Sequence, residues 1–307
     1  MRVNVIVLSY NGTSDTLACL ESLRQQEHPI PEVLVVDNGS TDGAPGTIRA
    51  RYPAFTLIEL PVNCGWAGGN NVGIEWALKN DAEMICLLNN DTIIPRGAIS
   101  ALAQAARSCP PCLMHPAIDY TDTSEGSQLD PSRSPETARR TPFGAGIYEL
   151  DYAYGACLMV PADLFRQIGT FDERFFLQLE ETDFYLRAQR VGVRSLCATG
   201  VRILHSESRS FGGRRTPVKT YYIARNSLLL MEKHDRSLAA ARRSLRRLYW
   251  SISRVAAQAE PGDAEVPLVA WGSSRNPFIA AARAGIRDYL LRRFGPIPES
   301  TMKALAG

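Results

Sequence analysis

The 307-residue chain is 45% hydrophobic and 21% charged, with a formal net charge of only +2, which gives no reason to expect a nucleic-acid partner. No apolar run reaches the roughly 18 residues of a membrane span, and no secretory leader precedes the first one. The seven cysteines are odd in number and scattered, which is typical of a reducing compartment. A cytoplasmic globular enzyme is the expected class.

Short buried strands alternate with helices in the first part of the chain, which predicts an α/β fold. Strands are predicted at 3–8, 32–37 and 55–60, and a helix at 13–26, with Thr13 or Ser14 as its N-cap. A strand, helix, strand unit is normally a right-handed parallel crossover. The polar segments that end the first two strands are therefore expected at the same edge of the sheet.

A segment rich in glycine and asparagine, residues 63–73, follows the third strand and is predicted as a loop that opens a helix at 72–79. Glycines let a backbone approach a ligand closely, and a helix N-terminus favours phosphate. The spacing of Gly65, Gly68 and Gly69 is not that of the dinucleotide fingerprint, so a nicotinamide cofactor is not indicated.

The next predicted strand, residues 85–88, stops at Asn89, Asn90 and Asp91. Ligands bind at the carboxyl ends of strands in open α/β sheets, and Asp91 offers a hard oxygen to a divalent cation. A simple Asx turn is the alternative. After a helix at 95–107, the long segment 108–146 is predicted to be a loop that helps bind the substrate, and 151–160 to be a strand.

Three acids, Glu180, Glu181 and Asp183, open a predicted helix that follows an aromatic segment. Acids in a first turn can simply stabilise the helix dipole. A carboxylate near apolar walls instead has a raised pKa, which suits a general base.

The C-terminal part is basic: residues 201–250 hold 12 Lys or Arg and three Asp or Glu. Strands are predicted at 194–198 and 201–205, where a lone His205 is more often a core residue than a ligand. A helix at 219–233 carries Tyr222 and Arg225. The arginine-rich pattern near 242–250 is typical either of a helix that lies on a membrane surface or of a helix with a solvated face. We predict one domain over 1–235 and a basic helical extension over 236–307.

The order of these motifs resembles the family-2 glycosyltransferases, and most closely their rhamnosyltransferase-like branch. The matching stretches are 5–11, 35–42, 63–70, 87–91, 155–157, 171–176, 180–183, 205–213 and 221–226. The resemblance implies a GT-A fold, a single Rossmann-like mixed sheet flanked by helices, with an added C-terminal helical extension. It also implies an inverting transfer of a sugar from a nucleotide-sugar, with a divalent metal, Mn²⁺ or Mg²⁺.

The resemblance also implies roles for individual residues. The metal is assigned to Asp91, His205 and, weakly, Asn89; the base is Glu181, with Glu180 or Asp183 as alternatives. The residues expected to hold the nucleotide or its diphosphate are Ser9, Tyr10, Asn11, Asp37, Gly65, Gly69, Asn70, Asn90, Tyr222 and Arg225. Two departures stand out: Asn89 replaces the usual first Asp of the metal motif, and Glu181 is one methylene longer than the usual Asp.

The resemblance leaves the substrates open. A dTDP-, UDP- or GDP-sugar is the expected donor, with rhamnose as a candidate sugar. The expected acceptor is a saccharide or a lipid-linked molecule of polysaccharide, cell-wall or glycoconjugate synthesis. Peripheral membrane association would bring the enzyme to a lipid-linked acceptor. A soluble natural product or a protein is the alternative acceptor. A nucleotidyltransferase, a glycoside hydrolase and a catalytically silent nucleotide-sugar-binding module are the competing functions.

Overall fold

The computed structural model describes residues 2–26, 32–122, 124, 126–133, 138–206, 216–235, 237–259, 271–272 and 274–306. The chain packs as two compact units. The first comprises Met1–Phe171 and Phe184–Ser210, and the second comprises Asp172–Asp183 and Phe211–Gly307. The helix predicted at 219–233 thus groups with the C-terminal helices, whereas the sequence placed it in the domain 1–235. That division of domains stays a prediction.

The first unit is built on one mixed sheet, which confirms the predicted α/β fold. Its strands are β1 Val3–Ser9, β2 Glu32–Asp37, β3 Thr56–Glu59, β4 Met84–Asn89, β5 Thr92–Ile93, β6 Cys112–Tyr120, β7 Ser127–Leu129, β8 Ala138–Arg140, β9 Ile147–Leu150, β10 Cys157–Pro161 and β11 Arg194–His205. Their order is β3-β2-β1-β4-β10-β6-β11-β9-β8, with β5 beside β11 and β7 beside β6. β1 is parallel to β2 and β4, as the crossover rule predicts, whereas β10 is antiparallel to β4.

The central strands are mostly apolar because both faces of the sheet are covered; Asn4 and Ser9 in β1 are buried polar exceptions. In β1, Val5 and Val7 join one hydrophobic cluster, while Ile6 and Leu8 join the cluster on the opposite face. The helices of the first unit are α1 Thr13–Arg24, α2 Ala44–Arg51, α3 Gly65–Lys79, α4 Ala98–Arg107 and α5 Ala162–Ile168. Helix α6, Glu180–Arg190, begins in the second unit and continues into the first.

Helix α3 begins at Gly65, seven residues earlier than predicted, so most of the expected glycine loop is helix. A Cβ on Gly69 would lie 2.4 Å from Leu8 Cδ1, and one on Gly73 would lie 2.5 Å from Ile6 Cγ2. These two glycines therefore allow the helix to pack closely on β1. The close approach of Gly69 is to the sheet, and its predicted contact with a ligand stays a prediction.

The segment 108–146, predicted as a loop, contributes strands β6, β7 and β8. β6 lies inside the sheet between β10 and β11. Residues 194–205 form one strand with an irregularity between Ala198 and Arg202, and the strand predicted at 151–160 begins only at Cys157. Gly12, in a left-handed conformation, is the N-cap of α1 in place of Thr13 or Ser14.

The second unit contains the remaining helices, α7 Pro217–His234, α8 Leu238–Ala259, α9 Pro277–Leu290 and α10 Glu299–Ala306. α7 and α9 pack closely because residue 285 is glycine: a Cβ there would lie 2.3 Å from the carbonyl oxygen of Tyr221. Ile252, Trp271 and Ile279 belong to the hydrophobic core of this unit. Among the helices that the structure describes, none is both long and apolar enough to cross a membrane.

Candidate active site

The polar segments that end β1, β2 and β4 meet at one edge of the sheet, as the parallel crossover predicted. The Asn11 N–H donates to Ser40 Oγ at 2.9 Å, and the Thr41 N–H donates to Asn11 Oδ1 at 2.9 Å. From the end of β4, Asn90 Nδ2 donates to Thr16 Oγ1 at 2.8 Å. Three segments distant in sequence thus form one polar surface.

Asp37 lies at this edge with one oxygen unused. Its side chain is 2% exposed, and Oδ2 accepts the Ser40 N–H at 3.0 Å, while Oδ1 has no hydrogen-bond partner among the described residues. Asn70 Oδ1 is likewise buried without a described partner, although Asn70 Nδ2 donates to the Trp66 carbonyl. A buried acceptor that lacks a donor is unfavourable, so both oxygens are suited to receive donors from a ligand.

The other residues predicted to border a nucleoside differ in access. Ser9 is fully buried, and its hydroxyl shares a hydrogen bond with Thr16 at 3.1 Å. Tyr10 and Asn11 are half-buried. Gly65 has a positive φ of 76°, which favours glycine, and its N–H donates to Asn63 Oδ1. The Ser9 side chain is therefore committed to the fold, whereas Tyr10 and Asn11 remain accessible.

Asp91 and His205 form the centre of the site. β5 pairs with the end of β11 in a register that sets His205 opposite Thr92, so the imidazole lies beside Asp91. The distance from His205 Nε2 to Asp91 Oδ1 is 3.1 Å, and the two residues are 4% and 7% exposed. His205, which the lone-histidine pattern marked as a core residue and the family resemblance as a metal ligand, thus shares a buried polar position with the predicted metal carboxylate.

The orientation of the His205 ring is fixed by Gln128, in strand β7. His205 Nδ1 lies 2.7 Å from Gln128 Oε1, which also accepts the Tyr154 hydroxyl at 2.8 Å, while Gln128 Nε2 donates to the His205 carbonyl at 2.9 Å. Because Oε1 can only accept, Nδ1 must carry the proton. His205 Nε2 therefore faces Asp91 with its lone pair in the neutral ring. Two electron-rich atoms at this distance require a proton or a cation between them.

The side-chain amide of Asn89 is oriented by a hydrogen bond from Trp66. Trp66 Nε1 donates to Asn89 Oδ1 at 3.0 Å, which directs the amide nitrogen toward His205 Nε2, 3.5 Å away. The indole fits here because residue 155 is glycine, since a Cβ at that position would lie 3.3 Å from Trp66 Cζ2. The Asn89 oxygen already accepts one hydrogen bond, from Trp66, and its weak role as a metal ligand stays a prediction.

The side chains around Asp91 offer few ligands for a divalent cation. No cluster of three or more His, Cys, Asp or Glu in the described part of the chain could hold a metal ion. Asp91 and His205 are two suitable ligands, and magnesium or manganese sites of this class complete their shell with substrate phosphates and water. The pair therefore fits a cation that is held jointly with a diphosphate.

In the second unit, the three predicted acids occupy different environments. Glu180 is 4% exposed, and burial together with the charge of Glu181 raises the pKa of its carboxyl well above the usual value. Glu180 Oε2 has no described hydrogen-bond partner. Glu181 is half-buried, and desolvation raises the pKa of its carboxyl to about 7. A carboxyl that titrates near neutral pH is suited to proton transfer.

Asp183 is committed to an ionic network. Its side chain is fully buried, and Oδ1 lies 2.7 Å from Lys233 Nζ and 2.8 Å from His234 Nε2. Lys233 also contacts Asp172 Oδ2 at 2.6 Å. The buried Asp183 carboxylate, held by Lys233 and His234, anchors the start of α6 to α7.

The loop that leads to these acids has a strained backbone. Phe176, Gln178 and Leu179 have φ values of 62°, 72° and 71°, a region that side-chain-bearing residues rarely adopt. Asn226 Nδ2 lies within 2.9 Å of the carbonyl oxygens of Phe175, Leu177 and Gln178. Asn226, on α7, therefore holds this loop in its unusual conformation.

Arg225 and Tyr222 have structural partners in place of the diphosphate predicted for them. Arg225 is fully buried, and its guanidinium donates to the carbonyls of Arg174, Phe175 and Gly295. The Tyr222 hydroxyl accepts the Ile297 N–H at 2.8 Å, and its ring stacks on Phe176. Both side chains therefore hold the fold of the second unit, and their contact with the diphosphate stays a prediction.

Comparison with known proteins agrees with this architecture. Residues 4–169 match the family model described as glycosyl transferase family 2. A Mycobacterium tuberculosis N-acetylglucosaminyl-diphospho-decaprenol L-rhamnosyltransferase is 29% identical over 68% of this chain and 77% of its own length. The dTDP-rhamnosyl transferase RfbF of Shigella flexneri is 24% identical over 76% of this chain and 81% of its own.

Solved structures share the fold. The mannosyltransferase PcManGT from Pyrobaculum calidifontis, in complex with GDP-Man and Mn²⁺, superposes with a TM-score of 0.59 at 19% identity, covering 95% of this chain and 88% of its own. Staphylococcus aureus TarS residues 1–349, in complex with UDP-GlcNAc, gives 0.61 at 19% identity, covering 99% and 84%. These likenesses place the mixed sheet and its flanking helices in the GT-A fold. The chain belongs to glycosyltransferase family 2, in its rhamnosyltransferase-like branch.

Proposed function

We propose that this glycosyltransferase of glycan biosynthesis inverts the anomeric centre of a sugar that it moves from a nucleoside diphosphate to a hydroxyl of a lipid-linked saccharide. Rhamnose from dTDP-rhamnose is the first candidate donor, because one relative is named for dTDP-rhamnose and another for L-rhamnosyl transfer onto a decaprenol-linked sugar. The GDP-Man and UDP-GlcNAc complexes of the fold neighbours make the other nucleotides the necessary comparisons.

The single observation that carries the proposal is the pair formed by Asp91 and His205, 3.1 Å apart. Both would hold Mn²⁺ or Mg²⁺ together with the donor diphosphate. When bound, the cation supplies positive charge that stabilises the diphosphate as it departs. Asp91 contributes the anionic oxygen, and His205 contributes a nitrogen whose lone pair is already directed by Gln128.

Glu181 is the proposed general base. Its carboxylate takes the proton of the acceptor hydroxyl while that oxygen forms a bond to the anomeric carbon, and the bond from this carbon to the diphosphate oxygen breaks with its electron pair. Desolvation, which raises the pKa of Glu181 to about 7, makes it a stronger base than an exposed glutamate. Burial and the charge of Glu181 raise the pKa of Glu180, which favours the neutral form of this neighbour and so reduces the repulsion between adjacent carboxylates.

Nucleoside binding is proposed for Asp37 and Asn70. Each has a buried side-chain oxygen without a described partner, and the N–H groups of a nucleobase or the hydroxyls of a ribose would supply the missing donors. The carboxylate of Asp37 accepts and never donates, so it selects for a ligand edge that carries a hydrogen.

A lipid-linked acceptor implies work at a membrane surface, and the cytoplasmic leaflet is the proposed location. The relative named for a decaprenol-linked substrate supports this class of acceptor. We infer peripheral attachment of the enzyme to that leaflet.

Thermal unfolding with dTDP, UDP and GDP and their sugars, each with and without Mn²⁺ or Mg²⁺, tests the donor. A ligand present at 100 times its Kd adds about 2.7 kcal/mol to the free energy of unfolding. We expect one nucleotide to stabilise the protein, and only when the metal is present. Asp91→Asn should remove this metal-dependent stabilisation, whereas Asp81→Asn, at an exposed position, should keep it. If no nucleotide stabilises the protein, the transferase proposal fails. Tight nucleotide binding without sugar transfer or release would indicate a silent binding module.

A further inference from the structure

Helix α8, Leu238–Ala259, has one face packed against the protein. Leu248, Ile252 and Ala256 are buried, in a cluster that also contains Trp271 and Phe278. The sequence alone allowed this helix to lie with its apolar side on lipid, but that side is occupied by the core of the second unit. Only the opposite side is available to a partner.

The available side is basic and carries one large aromatic ring. We call it the α8 basic face; its members, all exposed, are Arg242, Arg243, Arg246, Arg247, Trp250 and Arg254. Trp250 is 46% exposed. Residues three and four positions apart are neighbours on a helix surface, so Arg246, Arg247 and Arg254 surround the indole. No Asp or Glu occurs between Leu238 and Ala259.

The charges of this face are uncompensated, unlike those of arginines elsewhere on the surface. Arg24 pairs with Glu21, Arg166 with Asp163 and Arg292 with Glu232, each within 2.7 Å. Among the described residues, Arg243 is the one arginine of α8 that has a carboxylate within 4 Å, Asp235 at 3.7 Å, and both of these side chains are largely exposed. The α8 basic face therefore carries positive charge that neighbouring described carboxylates leave largely unneutralised.

We propose that the α8 basic face binds the surface of an anionic phospholipid membrane. Each Lys or Arg near such a surface contributes about 1 kcal/mol of attraction, and tryptophan is enriched at the level of the lipid headgroups. An exposed indole among arginines favours the headgroup region of a membrane over the phosphates of a nucleic acid. Membrane binding by this surface can be measured independently of the sugar donor and of catalysis.

The test is sedimentation of the full chain with vesicles of phosphatidylcholine alone or mixed with phosphatidylglycerol, with no substrate present. We expect binding to the anionic vesicles alone, and a fall in binding as ionic strength rises. Replacement of Arg242, Arg246, Arg247 and Arg254 with Gln should weaken binding about fivefold for each arginine. Trp250→Ala should weaken it without any change in charge.

The matched control replaces four paired arginines of the first unit with Gln, which removes the same net charge, and it should bind vesicles like the wild type. The four are Arg24, Arg49, Arg166 and Arg194. Circular dichroism verifies that each variant folds. The proposal is overturned if the wild type ignores anionic vesicles, or if both fourfold variants weaken equally, since net charge alone would then explain the binding. Tighter binding to RNA or duplex DNA than to vesicles would also overturn it.

Discussion

Gln128 and His205 hold each other through two hydrogen bonds, one from the imidazole Nδ1–H to Oε1 at 2.7 Å and one from the amide nitrogen to the His205 carbonyl at 2.9 Å. This pairing sets the tautomer that leaves Nε2 directed at Asp91. Side chains that orient a metal-binding histidine in this way influence metal affinity without touching the metal.

Gln128→Ala is therefore expected to weaken the affinity for Mn²⁺ about 10- to 100-fold in the presence of the nucleoside diphosphate. Free Mn²⁺ measured by electron paramagnetic resonance gives the affinity directly, without an activity assay. Gln104→Ala, at an exposed position of α4, is the matched control and should leave the affinity unchanged. Equal affinity in both variants would remove Gln128 from the site.

Glu181→Gln is expected to lower kcat by about 100- to 10,000-fold, the range of general-base catalysis, with little change in donor affinity. In the wild type, kcat/KM should fall as pH drops below about 7, because the base becomes protonated there. Glu75→Gln, on the exposed side of α3, should keep the wild-type profile. If the kcat/KM of the wild type instead falls only near the ordinary pKa of glutamate, the assignment of Glu181 as the base is contradicted.

Glu180→Gln is expected to stabilise the protein more at pH 8 than at pH 5. The pKa of Glu180 is raised in the folded state by burial and by Glu181, so its favourable protonated form is present at low pH and is lost as pH rises through that pKa. The amide of the variant is neutral at both pH values, so the variant avoids this loss of folding stability, which is on the order of 1 kcal/mol or more. Urea unfolding at the two pH values measures the difference, and the same gain at both would refute the prediction.

Asn226→Ala is expected to lower the free energy of unfolding by at least about 2 kcal/mol, because the carbonyls of Leu177 and Gln178 lose their side-chain donor beside a strained loop, while the Phe175 carbonyl keeps the donor from Arg225. Asn80→Ala, at an exposed helix end, should cost far less. Leu179→Gly relieves the positive φ and should recover part of the loss in the Asn226→Ala background. No recovery there would mean that the strain is unimportant.

Gly69→Ala is expected to destabilise the fold by about 1–3 kcal/mol through overpacking, since its Cβ would lie 2.4 Å from Leu8 Cδ1. Nucleotide affinity of the folded protein should persist if the glycine serves packing alone. Gly46→Ala on α2 has no atom within 4 Å of the new Cβ and should stabilise the helix slightly. Loss of affinity without loss of stability would restore a ligand role for Gly69.

Local sequence patterns determined the buried strands and the order of the motifs. The apolar runs that end at Asp37 and Asp91 are encoded by neighbouring residues, and the parallel crossover rule then brings their ends together. The acids at Glu180 and Glu181 were likewise recognisable from their position at the start of a helix. These features rest on interactions between residues close in the chain or on a general rule of topology.

Only the tertiary structure decided which partner each polar side chain meets. Gln128 carries no local signal, because its role depends on β7 and β11 lying near each other. Arg225 resembled a phosphate ligand until its burial against the carbonyls of Arg174 and Phe175 was known. The 108–146 segment resembled a loop because the pairing of β6 with β10 and β11 is long-range. Composition and periodicity record the preferences of one segment, whereas hydrogen bonds between distant segments exist only once the chain has folded.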